Sequence, residues 1–239
     1  MVRRETLADQ VADHVRELID AEGLQPGDQI PTENEITEKL GVSRGIVREA
    51  FRALSASGLI NVSSGRRSTV GQLQSGVLEK FFSHALITSQ ADIHNMMSLR
   101  QAIEFSAVRM AAANRSYAHL DRMKTALDGM AASLDVRPVF VIHDFDFHAV
   151  VCEASGNVLF KLLLEGLNES ILDTMRAGIQ NRLTAEENRT VMMLHEDIFK
   201  AIENRDETRA ETALRCHFDS AITAILENIT TDEDLAKIK

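Results

Sequence analysis

The chain has 239 residues, a formal net charge of −10, 44% hydrophobic and 26% charged residues, the profile of a globular protein long enough for one large or two ordinary domains. Twelve glycines and three prolines are too few for a turn-rich all-β protein, and no apolar run nears the ~20 residues a membrane-crossing helix needs. The opening MVRRETLADQ lacks the apolar stretch of a secretory signal, so a cytoplasmic location without membrane attachment is expected, with Cys152 and Cys216 as free core thiols.

Leu7, Val11, Val15 and Leu18 recur at helical spacing between Thr6 and Glu22, and Gly23 ends that run. Pro26-Gly27 marks a turn. Thr32 followed by Glu35 is a capping box that opens a second helix, which stops at Gly41. Ser43 is an N-cap for a third helix whose Val47, Ala50, Phe51 and Leu54 share one face, with Gly58 closing it. Two short β-like runs, 59–62 and 68–70, flank Ser63-Ser64-Gly65-Arg66-Arg67 and read as a hairpin. The later segments all read as helices: 77–88, 93–114, 117–134, 138–154, 158–182, 185–204 and 207–229. The expected organisation is a winged helix-turn-helix over 1–71, a linker over 72–76, an all-α antiparallel bundle over 77–230 and a polar tail over 231–239. The fold class is therefore mainly α.

Charge is unevenly placed. Residues 40–73 hold five arginines (Arg44, Arg48, Arg52, Arg66, Arg67) and one acid, Glu49, within an otherwise acidic chain. Arg44, Arg48 and Arg52 at i, i+4 and i+8 fall opposite the apolar face of the third helix, so one stripe packs while the other can meet phosphates or guanine edges. Arg66 and Arg67 at the hairpin would reach the DNA backbone or minor groove. An ordinary three-helix domain with a solvated arginine stripe would show the stripe too, but not the whole ordered pattern.

That pattern, Pro31-x-Glu33…Leu40-Gly41-Val42-Ser43-Arg44-x-x-Val47-Arg48-Glu49-Ala50…Gly58-Leu59-Ile60…Gly65-Arg66…Val70, resembles the winged helix of GntR-type bacterial transcription regulators. The resemblance implies that Ser43, Arg44 and Arg48 contact the operator in the major groove and that Gly65 and Arg66, with the adjacent Arg67, form the wing. It implies a homodimer on palindromic double-stranded DNA.

In the helical remainder, Asp144 and His148 at i, i+4 stand one above the other on a single face. His195 heads the run His195-x-x-Ile198-x-x-Ala201-Ile202, and His217 shares a side with Ala213, Ala221 and Ala224. Three imidazoles and a carboxylate converging from three helices would bind Zn²⁺, Ni²⁺ or Mn²⁺ with positions left for a ligand. Scattered core histidines remain the alternative at this point. His195-Glu196-Asp197-Ile198-Phe199 lacks the second histidine of a zincin, and no phosphate-binding or nucleophile-elbow motif is present.

Leu99-Arg100-x-x-x-Glu104…Ala111-Ala112, Asp144-x-x-Phe147-His148…Ala154-Ser155-Gly156-Asn157 and His195-x-x-Ile198…His217 are together similar to the FCD effector domain of the FadR subfamily. The resemblance implies metal ligation by Asp144, His148, His195 and His217, and places Arg100 at the carboxylate of a small organic or sugar acid effector. The expected function is a DNA-binding regulator, a repressor, controlled by that acid at the metal. A metal-dependent enzyme on the same three-His-one-Asp centre is the rival reading, and a purely structural metal a third.

Overall fold

The computed structural model describes residues 5–63, 66–178 and 184–228. The chain divides into two compact units, Met1–Val77 and Leu78–Lys239.

In the first unit, α1 (Leu7–Ala21) is opened by Thr6, whose side chain accepts from the Asp9 backbone N–H while the Asp9 carboxylate returns to the Thr6 backbone. The second helix, α2 (Glu33–Leu40), starts on the Thr32/Glu35 capping box and ends at Gly41, whose φ of 65° is left-handed backbone that suits glycine. That ending turns the chain into α3 (Arg44–Ala56), capped by Ser43. Val11, Val15, Ile36, Val47, Phe51 and Leu54 close around Ile30 and Ile60 into one core.

The hairpin is narrower than the sequence suggests: β1 (Ile60–Asn61) pairs antiparallel with β2 (Thr69–Val70), Ile60 opposite Val70 and Asn61 opposite Thr69. A third segment joins it. Gly27 donates to Val70, Val70 to Asp28 and Ile30 to Ser68, so the turn after α1 buries Ile30 by lying along β2. Gly71 runs so close to Gly58 that a Cβ would sit 2.0 Å from the Gly58 carbonyl oxygen, and only glycine fits there. Gly65 lies outside the described residues.

The second unit is α4 (Gly76–Ile87, entering from the first unit), α5 (Ile93–Asn114), α6 (Tyr117–Ala132), α7 (Arg137–Ala154), α8 (Val158–Gly178), α9 (Ala185–Glu203) and α10 (Glu207–Asn228). The expected extension of α8 to Arg182 runs into residues 179–183, outside the described set, and so does the expected tail. Capping boxes at Asp92/Asn95, Ser116/His119 and Thr184/Glu187 fix three helix starts, the first two unannounced by the Glu or Gln that usually marks them. The core runs through Met96, Met97, Val108, Met123, Met130, Phe147, Ile198, Ile202 and Phe218. No helix among the described residues is long and apolar enough to cross a membrane.

Cys152 is buried against Ala107, Ala149 and Leu164, as a core thiol would be, but Cys216 is exposed. The correction follows from helix geometry. His217 faces inward, and a neighbouring position is turned by ~100°.

Candidate metal centre and nucleic-acid face

His148 on α7, His195 on α9 and His217 on α10 meet inside the second unit, each offering one ring nitrogen within 4.8 Å of the others. Their side chains are almost wholly buried. The rings stack edge-on or tilted, with centroids 5.0 Å (148–195), 5.0 Å (148–217) and 4.4 Å (195–217) apart. Asp144, one turn before His148, places Oδ1 3.2 Å from His195 Nε2.

For His148 and His195 the partner on the far side of the ring settles the tautomer. His148 Nδ1 donates to the Glu104 carboxylate, and His195 Nδ1 donates 2.8 Å to the Val191 carbonyl. Both acceptors lack a proton to give, so in the neutral rings both Nε2 atoms carry lone pairs, and these face each other at 3.1 Å. Asp144 Oδ1 adds a third acceptor beside them. His217 Nδ1 is buried without a hydrogen-bond partner. Burial pushes His195 down to about 4 and His217 well below the usual imidazole range.

A divalent cation fits the donor set. Two nitrogens at ~2.0–2.1 Å from one metal lie ~2.8–3.4 Å apart for angles from ~90° to ~110°, which brackets the observed 3.1 Å. The residues that would hold it are His148, His195 and His217, with Asp144 alongside. Bound there, the metal would act as a Lewis acid with positions open to an oxygen ligand.

Behind the imidazoles stands a second layer, Glu104 and Arg100, of which sequence reasoning singled out only Arg100, as an effector residue. Glu104 on α5 is fully buried and accepts from His148 through one oxygen and from Arg100 Nε at 2.6 Å through the other. Burial pushes its carboxyl up, but His148 and Arg100 outweigh that and hold it at about 2. A carboxylate behind a ligand imidazole fixes the ring and makes it more basic. Arg100 itself is mostly buried, tied to Glu104 and lying 5.7 Å over the Phe218 ring.

In the first unit, α3 carries three of the five arginines, Arg44, Arg48 and Arg52. Ser43 caps α3, its Oγ accepting from the Ile46 N–H at 3.4 Å. Arg44, Arg48 and Arg52 are exposed on the face opposite buried Val47, Phe51 and Leu54. Arg48 lies 3.7 Å from Glu33. Arg66 is exposed, while Arg67 is drawn onto α2, its Nη2 donating 2.8 Å to Glu35. Glu35 is thus shared between the Thr32 cap and the wing, and the Thr32 backbone first, then its hydroxyl and Arg67, keep its carboxyl below the usual range.

Residues 7–70 match the model of the bacterial regulatory proteins of the gntR family, and residues 95–220 that of the FCD domain. The chain belongs to the GntR family. It is a transcription regulator with an FCD domain, not an enzyme. It is 32% identical over 226 residues to the HTH-type transcriptional repressor NanR of Citrobacter rodentium, covering 91% of this chain and 84% of that one. It is 30% identical over 230 residues to the NanR repressor of Edwardsiella tarda, covering 92% and 86%. A GntR structure from Streptococcus agalactiae shares the fold at a TM-score of 0.67 and 20% identity, over 91% of this chain and 99% of that one. The GntR winged helix and the FCD bundle are thus joined in one chain, the order expected from the sequence.

Proposed function

We propose that this GntR-family chain is a repressor that releases or engages a palindromic operator in response to a small organic or sugar acid bound at a divalent metal in its FCD unit. Residues 1–71 read DNA, 72–76 link, 77–230 sense the acid and pair two copies, and 231–239 trail. Ser43, Arg44 and Arg48 enter the major groove. Gly65, Arg66 and Arg67 touch the backbone from the wing. His148, His195, His217 and Asp144 hold Zn²⁺, Ni²⁺ or Mn²⁺, and Arg100 serves the effector carboxylate. Reading two half-sites takes two copies, hence a homodimer. Repression as the sign of control is supported by the relatives, which are repressors by name.

The observation that carries the reading is the pair of facing lone pairs, His148 Nε2 and His195 Nε2 at 3.1 Å, beside the orphaned His217 Nδ1, in a chain that also has a DNA-reading unit. A desolvated effector carboxylate needs a compensating charge, and a bound cation supplies it. The test is operator binding by the metal-loaded protein against a panel of organic and sugar acids, with His195→Ala alongside. An acid that shifts operator affinity only when the metal site is intact supports the proposal. Acid response unchanged in His195→Ala removes the metal from it.

A further inference from the structure

On α7 and α9 the polar contact at the metal centre is repeated. Asp144 faces His195, and seven residues earlier on both helices Arg137 faces Asn188, the Arg137 Nη1 donating 2.6 Å to the Asn188 Oδ1. Seven residues are almost two full turns, so Arg137 stands on the same side of α7 as Asp144, and Asn188 on the same side of α9 as His195. Equal steps on both helices mean that they run parallel here, with two rungs ~10.5 Å apart along the axis. Each helix packs chiefly on other neighbours, α7 on α5, α6 and α8, and α9 on α5, α6 and α10. The two are bridged by long side chains.

The outer rung is a held cation. Asn188 is buried and both ends of its amide are used, Oδ1 by Arg137 and Nδ2 in a 2.7 Å bond to the Leu134 carbonyl. The guanidinium is thereby fixed, and it lies 5.7 Å over the ring of Phe140, one turn toward Asp144. Among the described residues no carboxylate forms an ion pair with Arg137; its neutral partners are an amide and a ring. Burial works against its charge, only partly offset by the more distant Asp144 and Glu187. A half-buried guanidinium with a neutral partner is a site prepared for an anion, because a charge-assisted, bidentate contact would recover what desolvation costs.

We propose that Arg137, positioned by Asn188, is a second anion subsite that selects diacids over the monoacids that lack the second carboxylate. The inference rests on the reading in which one carboxylate sits on the metal. The rungs stand ~10.5 Å apart along the helix axis, and the guanidinium over Phe140 reaches part of the way toward Asp144, so the two carboxylates would be joined by a short spacer such as that of glutarate.

The experiment titrates the zinc-loaded full chain with glutarate and with butyrate by calorimetry, in wild type, Arg137→Gln and Arg137→Lys. Wild type binds glutarate at least about tenfold more tightly than butyrate, the size of one charged hydrogen-bonding contact. Arg137→Gln removes that preference with butyrate affinity unchanged, and Arg137→Lys retains part of it. Equal affinities in wild type, or an undiminished preference in Arg137→Gln, overturn the subsite. If butyrate binds and glutarate gains nothing, only the subsite falls. If neither acid binds the zinc-loaded wild type, the metal-anchored carboxylate falls with it. The wild-type comparison decides the matter even if a variant folds poorly.

Discussion

The carboxylate of Glu104 on α5 accepts the Nδ1 proton of His148 on α7, with both groups sealed from solvent. The bond ties a candidate metal ligand to a helix that supplies no ligand itself, and through the second oxygen to Arg100. Glu104→Gln keeps the shape but can present an N–H to His148 or Arg100 in place of a charge. Metal affinity should fall about 10- to 100-fold, while far-ultraviolet dichroism stays that of a helical bundle. Unchanged zinc affinity in a competition titration would show that Glu104 only packs.

On the DNA face, Arg44→Ala and Arg48→Ala should each cost about 1–3 kcal/mol of specific operator affinity if the side chains contact base edges. Arg66→Ala should lower affinity for every sequence alike and flatten the salt dependence. Fluorescence anisotropy at several salt concentrations separates the two patterns. Wild-type affinity in both α3 variants would take those arginines out of the interface.

Arg67 is held by Glu35 in the absence of DNA. Glu35→Gln keeps a side chain able to complete the Thr32 cap but frees the guanidinium. Affinity for nonspecific duplex should rise a few-fold, with a steeper salt slope, and stability should change little because the pair is exposed. A salt slope identical to wild type would mean that Arg67 stays off the phosphates.

Glu153 on α7 gathers Arg122 of α6 and Lys161 of α8. The Arg122 hydrogen bond, with Lys161 behind it, outweighs burial and lowers the carboxyl to about 2. A carboxylate with a depressed folded pKa stabilises above its ordinary value near 4.5 and loses that contribution as pH falls toward 2. Glu153→Gln should therefore be less stable at pH 7 by about 1 kcal/mol, the network being partly solvent-screened, and the difference should shrink steadily below pH 4.5. Urea denaturation at pH 7 and pH 3 tests the sign. A deficit that grows in acid would refute it.

The sequence shows its polar signals where they are local. Thr32 with Glu35, Ser43 before Arg44, and Asp144 four residues before His148 can each be read within one helix, and the structure has the corresponding caps and stripe. Glu104 was not legible as an orienting group. In the sequence Arg100 reads as an effector residue and Glu104 only as part of its motif, and only a packing partner 44 positions away gives Glu104 its role. The available hint was a charged pair on the stripe that continues as Ala107, Val108 and Ala111, all buried. The pairing of Asp28–Ile30 with β2 was hidden for a similar reason, since a three-residue strand has no period to detect. Arg137 went unnoticed because the adjacent Pro138 reads as a helix start and draws attention from its neighbour.

The central claim is that His148, His195 and His217 form a metal centre. The most direct measurement is elemental analysis of gently purified protein, coupled to thermal unfolding with added Zn²⁺, Ni²⁺ or Mn²⁺, for wild type and His195→Ala. The account predicts about one divalent ion per chain, or a clear rise in melting temperature when one is supplied, and loss of that response in a still-helical His195→Ala. Wild-type protein that carries no stoichiometric metal, and whose melting temperature none of the three ions moves, would contradict it.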